Sequence, residues 1–220
     1  MNAVTLIGPD YSSYLRSVRI ALEEKGVPYE ISMNGMTEFS DLKSEKHLKL
    51  HPFGKVPVML HGDHVIFETC AILEYVDESF VGRNLMIGTA KEFALHRAWM
   101  SAASHYAYEP IIREYVVPLL RKTLPEDIDP KKFATDNISK IQDVLMPFEQ
   151  AYTHGNLYLT SEEPGLADCV IVVIVDYLSV LPTGSKILEP FENLRTMYEA
   201  FQKRESFRKT IPEALLKKAA

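Results

Sequence analysis

The chain has 220 residues, 46% of them hydrophobic, 25% charged and 10% aromatic, which suits a globular protein and excludes a disordered, collagenous or disulfide-stapled chain. Lys and Arg number 24 against 30 Asp and Glu, a formal net charge of -6, whereas a nucleic-acid binder carries a basic excess. Two cysteines, Cys70 and Cys169, are too few for a secreted disulfide framework and fit a reduced, cytoplasmic compartment. The N-terminal apolar run, Ala3 to Ile7, is interrupted by Thr5 and is too short for a signal sequence. The run Cys169 to Val175 falls far short of the roughly 20 residues a bilayer requires, so no targeting or membrane segment is expected.

Short strand and helix patterns alternate through the first 80 residues. Ala3 to Gly8 reads as a strand running into the turn-forming Pro9-Asp10. A helix starts at Ser12 or Ser13, aligns Leu15, Val18, Ala21 and Leu22, and is ended by Gly26 and Pro28. Tyr29 to Met33 is a second strand, and the polar, Lys-rich stretch from Phe39 to Leu50 is an exposed helix or loop. Val58-Met59-Leu60 and Val65-Ile66-Phe67 flank His61 to His64, with Gly62-Asp63 as the hairpin turn. Glu68 to Phe80 closes the half as a helix with Ile72, Tyr75, Val76 and Ser79 aligned. This order suits a small mixed sheet with helices packed on it.

Gly82, Asn84 and Gly88 mark a linker, after which strand signals nearly vanish. Phe93 to Glu109 is a long helix that Pro110 must kink or stop. Lys132 to Tyr152 is another helix. Leu166 to Leu181 is apolar nearly all round, as a fully buried helix would be. Phe191 to Arg204 and Ser206 to Lys217 complete an all-helical half. The expected organisation is an α/β domain over residues 1–81, a linker over 82–89 and an all-α domain over 90–220.

Three short motifs carry chemistry in the first half. Lys55-Val56-Pro57-Val58 leads a proline into a strand; a cis Val56-Pro57 bond would turn the Val56 backbone outward to pair with an extended ligand, whereas a trans bond would be an ordinary strand entry. Glu68-Thr69-Cys70 opens a helix whose N–H groups and positive dipole end suit an anion, although Thr69 could equally serve only as a cap. Tyr11-Ser12-Ser13-Tyr14 places a hydroxyl at a helix N-terminus, where a negative sulfur would be stabilised; an N-cap serine is the plainer alternative.

Their joint order is more specific than any one of them. YSSYLRSVRIALEEKGVPYE, then HPFGKVPVMLHGDHVIFETCAILEYVDE, then GLADCVIVVIVDYL resembles the glutathione transferase superfamily along nearly the whole chain. The resemblance implies a thioredoxin-like N-terminal domain with a glutathione site, an all-helical C-terminal domain forming much of the second-substrate pocket, and a cytoplasmic homodimer. Ser12 to Leu22 looks like the serine-type classes (phi, theta and zeta), pointing to Ser12 as thiol activator, with Ser13 next and Tyr11 and Tyr14 as flanking competitors. Val56 matches the backbone clamp, Pro57 the cis-proline, and Glu68 with Thr69 the pair that holds the γ-glutamyl end. Lys55 stands where glutamine or lysine is usual, and Lys43 falls near a lysine that faces the glycyl carboxylate. Asp168 matches a buried helix-capping aspartate, although Gly165 replaces the serine or threonine of the capping box.

For the second substrate, an apolar electrophile, the resemblance suggests Trp99, Tyr106, Tyr108 and Arg113, with Tyr11 and Tyr115 beside them; the alternative for the aromatics is core packing. His61 and His64 lack a third ligand at fitting spacing, so no metal is expected, and His47 and His51 read as solvated. Cys70 reads as a packing residue and Lys217-Lys218 as a solvated helix end. Glutathione is the expected co-substrate. Lowering its thiol pKa from about 8.5 by about two units requires roughly 2.7 kcal/mol. A hydrogen bond to a charged group, about 1.5–3 kcal/mol, plus a helix N-terminus, about 0.3–1 kcal/mol, can supply that. Conjugation is the expected activity. A zeta-like cis–trans isomerase, a glutathione-dependent peroxidase and a non-catalytic interaction module are the alternatives.

Overall fold

The computed structural model describes residues 3–33, 39–152 and 155–213. β1 (Val4–Ile7), β2 (Tyr29–Ser32), β3 (Val58–His61) and β4 (His64–Phe67) form a four-stranded sheet in the order β2-β1-β3-β4. β1 runs parallel to β2 and antiparallel to β3, which pairs antiparallel with β4. A parallel pair needs a crossover, and α1 (Ser13–Lys25) provides it; an antiparallel pair needs only the Gly62-Asp63 turn. Val4, Leu6 and Ile7 are buried because β1 is an inner strand. α1 buries Leu15, Val18, Ala21 and Leu22 as the periodicity predicts and ends at Gly26. It packs against α3 (Thr69–Ser79), whose buried stripe is Thr69, Ile72, Leu73 and Val76. Ser79 is exposed, because the stripe ends a turn before the chain leaves the helix at Phe80.

The segment predicted as an exposed helix or loop holds a 3₁₀ turn (Phe39–Lys43) and α2 (Glu45–Leu48), capped by the Ser44 hydroxyl. A small apolar cluster of Ile7 and Val58, packed by Leu42, Leu50, Leu60 and Phe67, ties this segment to one end of the sheet.

The helical half opens with α4 (Ala90–Ala102), earlier than the predicted Phe93, because Thr89 and Glu92 form a reciprocal capping box. Pro110 does not stop the chain: a π-type helix (Ala103–Val116) runs through it into α5 (Val117–Arg121), and Val117 N–H bonds the Ile112 carbonyl. Proline breaks an α-helix because its ring meets the carbonyl four residues back; bonding five residues back relieves that collision. The helix predicted over 132–152 is two, α6 (Pro130–Asp136) and α7 (Ile138–Ala151), which meet at Asn137, where the backbone turns to φ −91°, ψ −2° and the side chain shares the Phe133 carbonyl, at 2.9 Å, with the residue's own N–H. α8 (Leu166–Ser179) is buried at every position from Leu166 to Leu178, as its sequence requires. α9 (Gly184–Leu188), α10 (Glu192–Gln202) and α11 (Glu205–Lys209) follow; the predicted extension to Lys217 passes outside the described residues. No helix among the described residues is long and apolar enough to cross a membrane.

The compact units differ from the expected 1–81 and 90–220: the first extends to Met86 and takes back the chain from Glu205, and the second is Ile87–Arg204. Both shifts come from buried polar groups on the first unit. Lys25 donates to the Asp77 side chain at 3.0 Å and to the Arg83 carbonyl at 3.1 Å, while the Asp77 carboxylate accepts from Leu85 N–H at 2.7 Å and Met86 N–H at 2.8 Å. Arg19 donates to the carbonyls of Thr210 at 3.2 Å and Lys209 at 3.1 Å, and Arg16 lies 4.6 Å above the Phe207 ring.

Candidate glutathione site

Register brings the three motifs together. Ile7 pairs with Val58 and Val58 with Phe67, so these residues form one row across the sheet. β1 leaves this row toward Ser12, Pro57 enters it from Val56, and β4 leaves it toward Glu68 and Thr69. All three segments therefore lie at the same end of the sheet, although Ser12 precedes Val56 by 44 residues and Glu68 by 56 in sequence. At Gly8 (φ +145°) a Cβ would stand 2.8 Å from Leu15 and 3.1 Å from the Val56 Cβ, so the turn after β1 passes against Val56.

Ser12 is the N-cap of α1 with extended backbone, and its hydroxyl oxygen accepts from Leu15 N–H at 3.4 Å. Ser13 is the first helical residue and 8% exposed, leaving Ser12 the more accessible of the two. Tyr11 is exposed beside it.

The Val56-Pro57 bond is cis, with Pro57 buried and Val56 half-buried. Just before them, Gly54 (φ +59°) leaves no room for a side chain: a Cβ would stand 2.5 Å from the Leu42 carbonyl oxygen. Lys43 donates to the Phe53 carbonyl at 2.9 Å, which ties the 3₁₀ turn to this loop and sets its ammonium beside Gly54. Lys55 is exposed.

Thr69 does not cap α3. It is the first helical residue, 7% exposed, and the cap position is Glu68, which has positive φ (70°) and no side-chain cap bond. A non-glycine residue held at positive φ is costly and collects at functional sites. The Ile72 N–H donates to the Glu68 carbonyl at 2.9 Å, so the positive end of the α3 dipole lies at Glu68-Thr69.

His47 and His51 are not solvated. They are 1% and 2% exposed, because both rings turn inward beneath the 53–57 segment. His47 Nε2 lies 2.7 Å from the Lys55 carbonyl oxygen and therefore donates to it. His51 Nδ1 accepts from Phe53 N–H at 3.3 Å, and its Nε2 stands 3.9 Å from Glu68. Their four-residue spacing, ending on the first residue of HPFGKVP, was the available sequence signal, and the polar composition around them hid it. His61, at the other end of the hairpin, contacts the Tyr75 hydroxyl at 2.9 Å.

In the helical unit, Tyr106, Tyr108 and Arg113 lie along the π-type helix, with Tyr106 and Arg113 exposed and Tyr108 half-buried. Burial raises the Tyr108 phenol, Arg113 lowers it and Glu109 raises it, so it stays protonated at neutral pH. Trp99 is half-buried with its ring 5.2 Å from Phe148, and Tyr115 is core, donating to the Ala134 carbonyl at 2.8 Å. Asp168 is fully buried; its carboxylate accepts from Tyr152 O–H at 2.7 Å, Gly165 N–H at 2.8 Å and Leu159 N–H at 3.0 Å. Gly165 has no hydroxyl to complete the box, but two further donors fill the carboxylate.

Fold and site define a thioredoxin-like domain followed in the chain by an all-helical one. Residues 4–78 match the glutathione S-transferase N-terminal domain, and residues 117–209 match the glutathione S-transferase C-terminal domain. Glutathione S-transferase 1 of Zea mays is 30% identical over 225 residues, covering 100% of each chain. Among solved structures, glutathione transferase F2 of Populus trichocarpa is 26% identical with a TM-score of 0.77, covering 94% of this chain and 96% of its own. Glutathione S-transferase-I, bound with lactoylglutathione, is 27% identical with a TM-score of 0.78, covering 94% and 98%. The chain belongs to the glutathione S-transferase family.

Proposed function

We propose that the protein is a serine-type glutathione transferase in which Ser12 holds the glutathione sulfur as a thiolate. The observation that carries this reading is the row Ile7–Val58–Phe67, from whose end the Ser12 turn, the Val56 clamp and the Glu68-Thr69 helix start all depart. The Ser12 oxygen accepts from Leu15 N–H, which leaves its own proton to donate to sulfur. Stabilised in this way and by the positive end of α1, the thiol releases its proton to solvent near neutral pH. The sulfur lone pair then forms a bond to an electrophilic carbon, and the displaced electron pair leaves with the leaving group or enters the activated double bond.

Val56 backbone pairing, Glu68 and Thr69 at the γ-glutamyl end, and Lys43 and Lys55 toward the carboxylates complete the binding set. The electrophile is proposed to be small and apolar, with Tyr106, Tyr108 and Arg113 as its candidate contacts in the second unit and Tyr11 as the candidate in the first. Trp99 is the weakest of this group, since its ring packs on Phe148. A cytoplasmic homodimer fits the family and the two free thiols, Cys70 and Cys169. Light scattering gives the mass in solution, and a monomer would overturn that part. The activity is tested by capture on immobilised glutathione, then conjugation of a chloronitrobenzene by wild type and Ser12→Ala. A wild type that binds but does not conjugate, or a Ser12→Ala variant of unchanged rate, would sink the mechanism.

A further inference from the structure

We propose that His51 is a positioning residue for glutathione, aiming the Glu68 carboxylate from within a buried two-histidine strut that His47 completes under Lys55. The inference rests on the glutathione reading above and adds to it residues whose sequence context suggested only solvation. Five contacts to four residues set the His51 ring. Its Nδ1 accepts from Phe53 N–H at 3.3 Å, so the ring proton of the neutral form sits on Nε2, and that atom stands 3.9 Å from Glu68 Oε1. One side of the ring packs on Phe67, centroids 5.0 Å apart, and another meets Phe53 at 6.3 Å. His47 stacks on it at 6.4 Å with planes 21° apart.

The ring is thus held by Phe67, the residue immediately before Glu68, and its polar edge faces a carboxylate whose side chain is 64% exposed and whose backbone sits at φ 70°. His47 does the matching work on the neighbouring segment: its Nε2–H donates to the Lys55 carbonyl, one residue before the Val56 clamp. Its Nδ1 has no hydrogen-bond partner among the described residues, and its backbone N–H donates to the Ser44 hydroxyl. The pair therefore connects both sequence-distant halves of the binding edge, residues 55–57 and residues 68–69, through two rings packed out of water.

The charge logic yields a readout that a merely structural histidine would lack. Besides its burial, Glu68 and a hydrogen bond to its own backbone favour His51 protonation, while His47 and Lys55 oppose it. Burial dominates and holds it below the ordinary histidine range, so at neutral pH the ring is uncharged and orients Glu68 without neutralising it. Below that range the imidazolium gains a full charge and competes with the ammonium of glutathione for the same carboxylate. Acid should therefore weaken glutathione binding through the charge His51 gains.

The experiment measures calorimetric Kd for S-methylglutathione, whose blocked sulfur has no proton to lose, between about pH 7.5 and about pH 5. Wild-type affinity should fall about 2- to 5-fold toward acid, the size of one partly exposed charge pair. His51→Gln places an amide N–H near the ring's Nε2 and does not titrate, so it should match wild type near neutrality and stay flat toward acid. His51→Ala should bind about 2- to 5-fold more weakly near neutrality and raise KM for glutathione while leaving kcat at saturating glutathione unchanged. A His51→Gln variant with the wild-type acid loss, or a His51→Ala variant with wild-type affinity, overturns the proposal. Wild type that fails to bind S-methylglutathione at any pH overturns the glutathione reading itself, and the proposal with it. If His51→Ala does not fold, the His51→Gln profile decides alone.

Discussion

The Ser12 oxygen caps α1 by accepting from Leu15 N–H, and in the proposed mechanism the same hydroxyl gives its proton to the glutathione sulfur. Ser12→Ala should lower kcat/KM by about 10- to 150-fold, the equivalent of one hydrogen bond to a charged group, and weaken the ultraviolet band of bound thiolate. It should also cost about 1 kcal/mol of stability through the lost cap. Ser13→Ala, at a buried first-turn position, should retain the thiolate band. The hydroxyl at this place was legible from YSSYL alone, but which serine faces outward was not, because that depends on where the first helical residue falls. Asp168 is a second instance of one side chain serving several groups. Burial raises its carboxyl to about 6, and the donors Gly165 N–H, Tyr152 O–H and Leu159 N–H restrain the rise. The folded chain therefore holds this proton more tightly than the unfolded chain, whose value is near 3.8. The stability Asp168 contributes is fully present below that value and is lost as pH climbs toward 6, at most about 3 kcal/mol. Asp168→Asn cannot titrate, so denaturant unfolding from pH 4 to pH 7 should show its deficit against wild type narrowing with rising pH. A constant gap would refute the assignment.

The short C-terminal α11 owes its place to α1 and not to its own length. Isolated helices of five residues do not persist in water, and α11 is held where Arg19 takes its last carbonyls and Ser206 bonds Glu24. Arg19→Ala should destabilise the first unit by about 3 kcal/mol and sharply increase amide exchange over residues 205–213; unchanged exchange would show that Phe207 packing alone suffices. Elements whose stability is local were readable in advance: α1 with its serine cap and Gly26, the β3–β4 hairpin on Gly62-Asp63, and the uniformly apolar α8. Those shaped by neighbours were not. Asn137 splitting α6 from α7, Glu68 at positive φ, and the π-type passage through Pro110 each depend on a hydrogen bond or a dihedral that no periodicity announces.

For the molecule entire, the glutathione candidates all belong to the first unit and Tyr106, Tyr108 and Arg113 to the second. Tyr108→Phe and Arg113→Ala should therefore shift KM for the electrophile by about 3- to 10-fold while leaving glutathione Kd within about twofold, each side chain being worth one polar contact. Steady-state kinetics with each substrate varied in turn would check this, and parallel loss of both affinities would contradict it. The sequence by itself determined the two architectural halves, a small mixed sheet with helices packed on it, and the three chemical motifs, because these reside in periodicity, turn residues and short-range caps. Only the tertiary structure decided that residues 82–86 and 205–213 belong with the sheet, and that His47 and His51 are buried against residues 53–55. The physical reason is common to both. A buried Lys25–Asp77 pair, an Arg19 fork and two inward imidazoles are polar side chains whose burial depends on partners mostly distant in sequence, and a polar residue read alone is assigned to water.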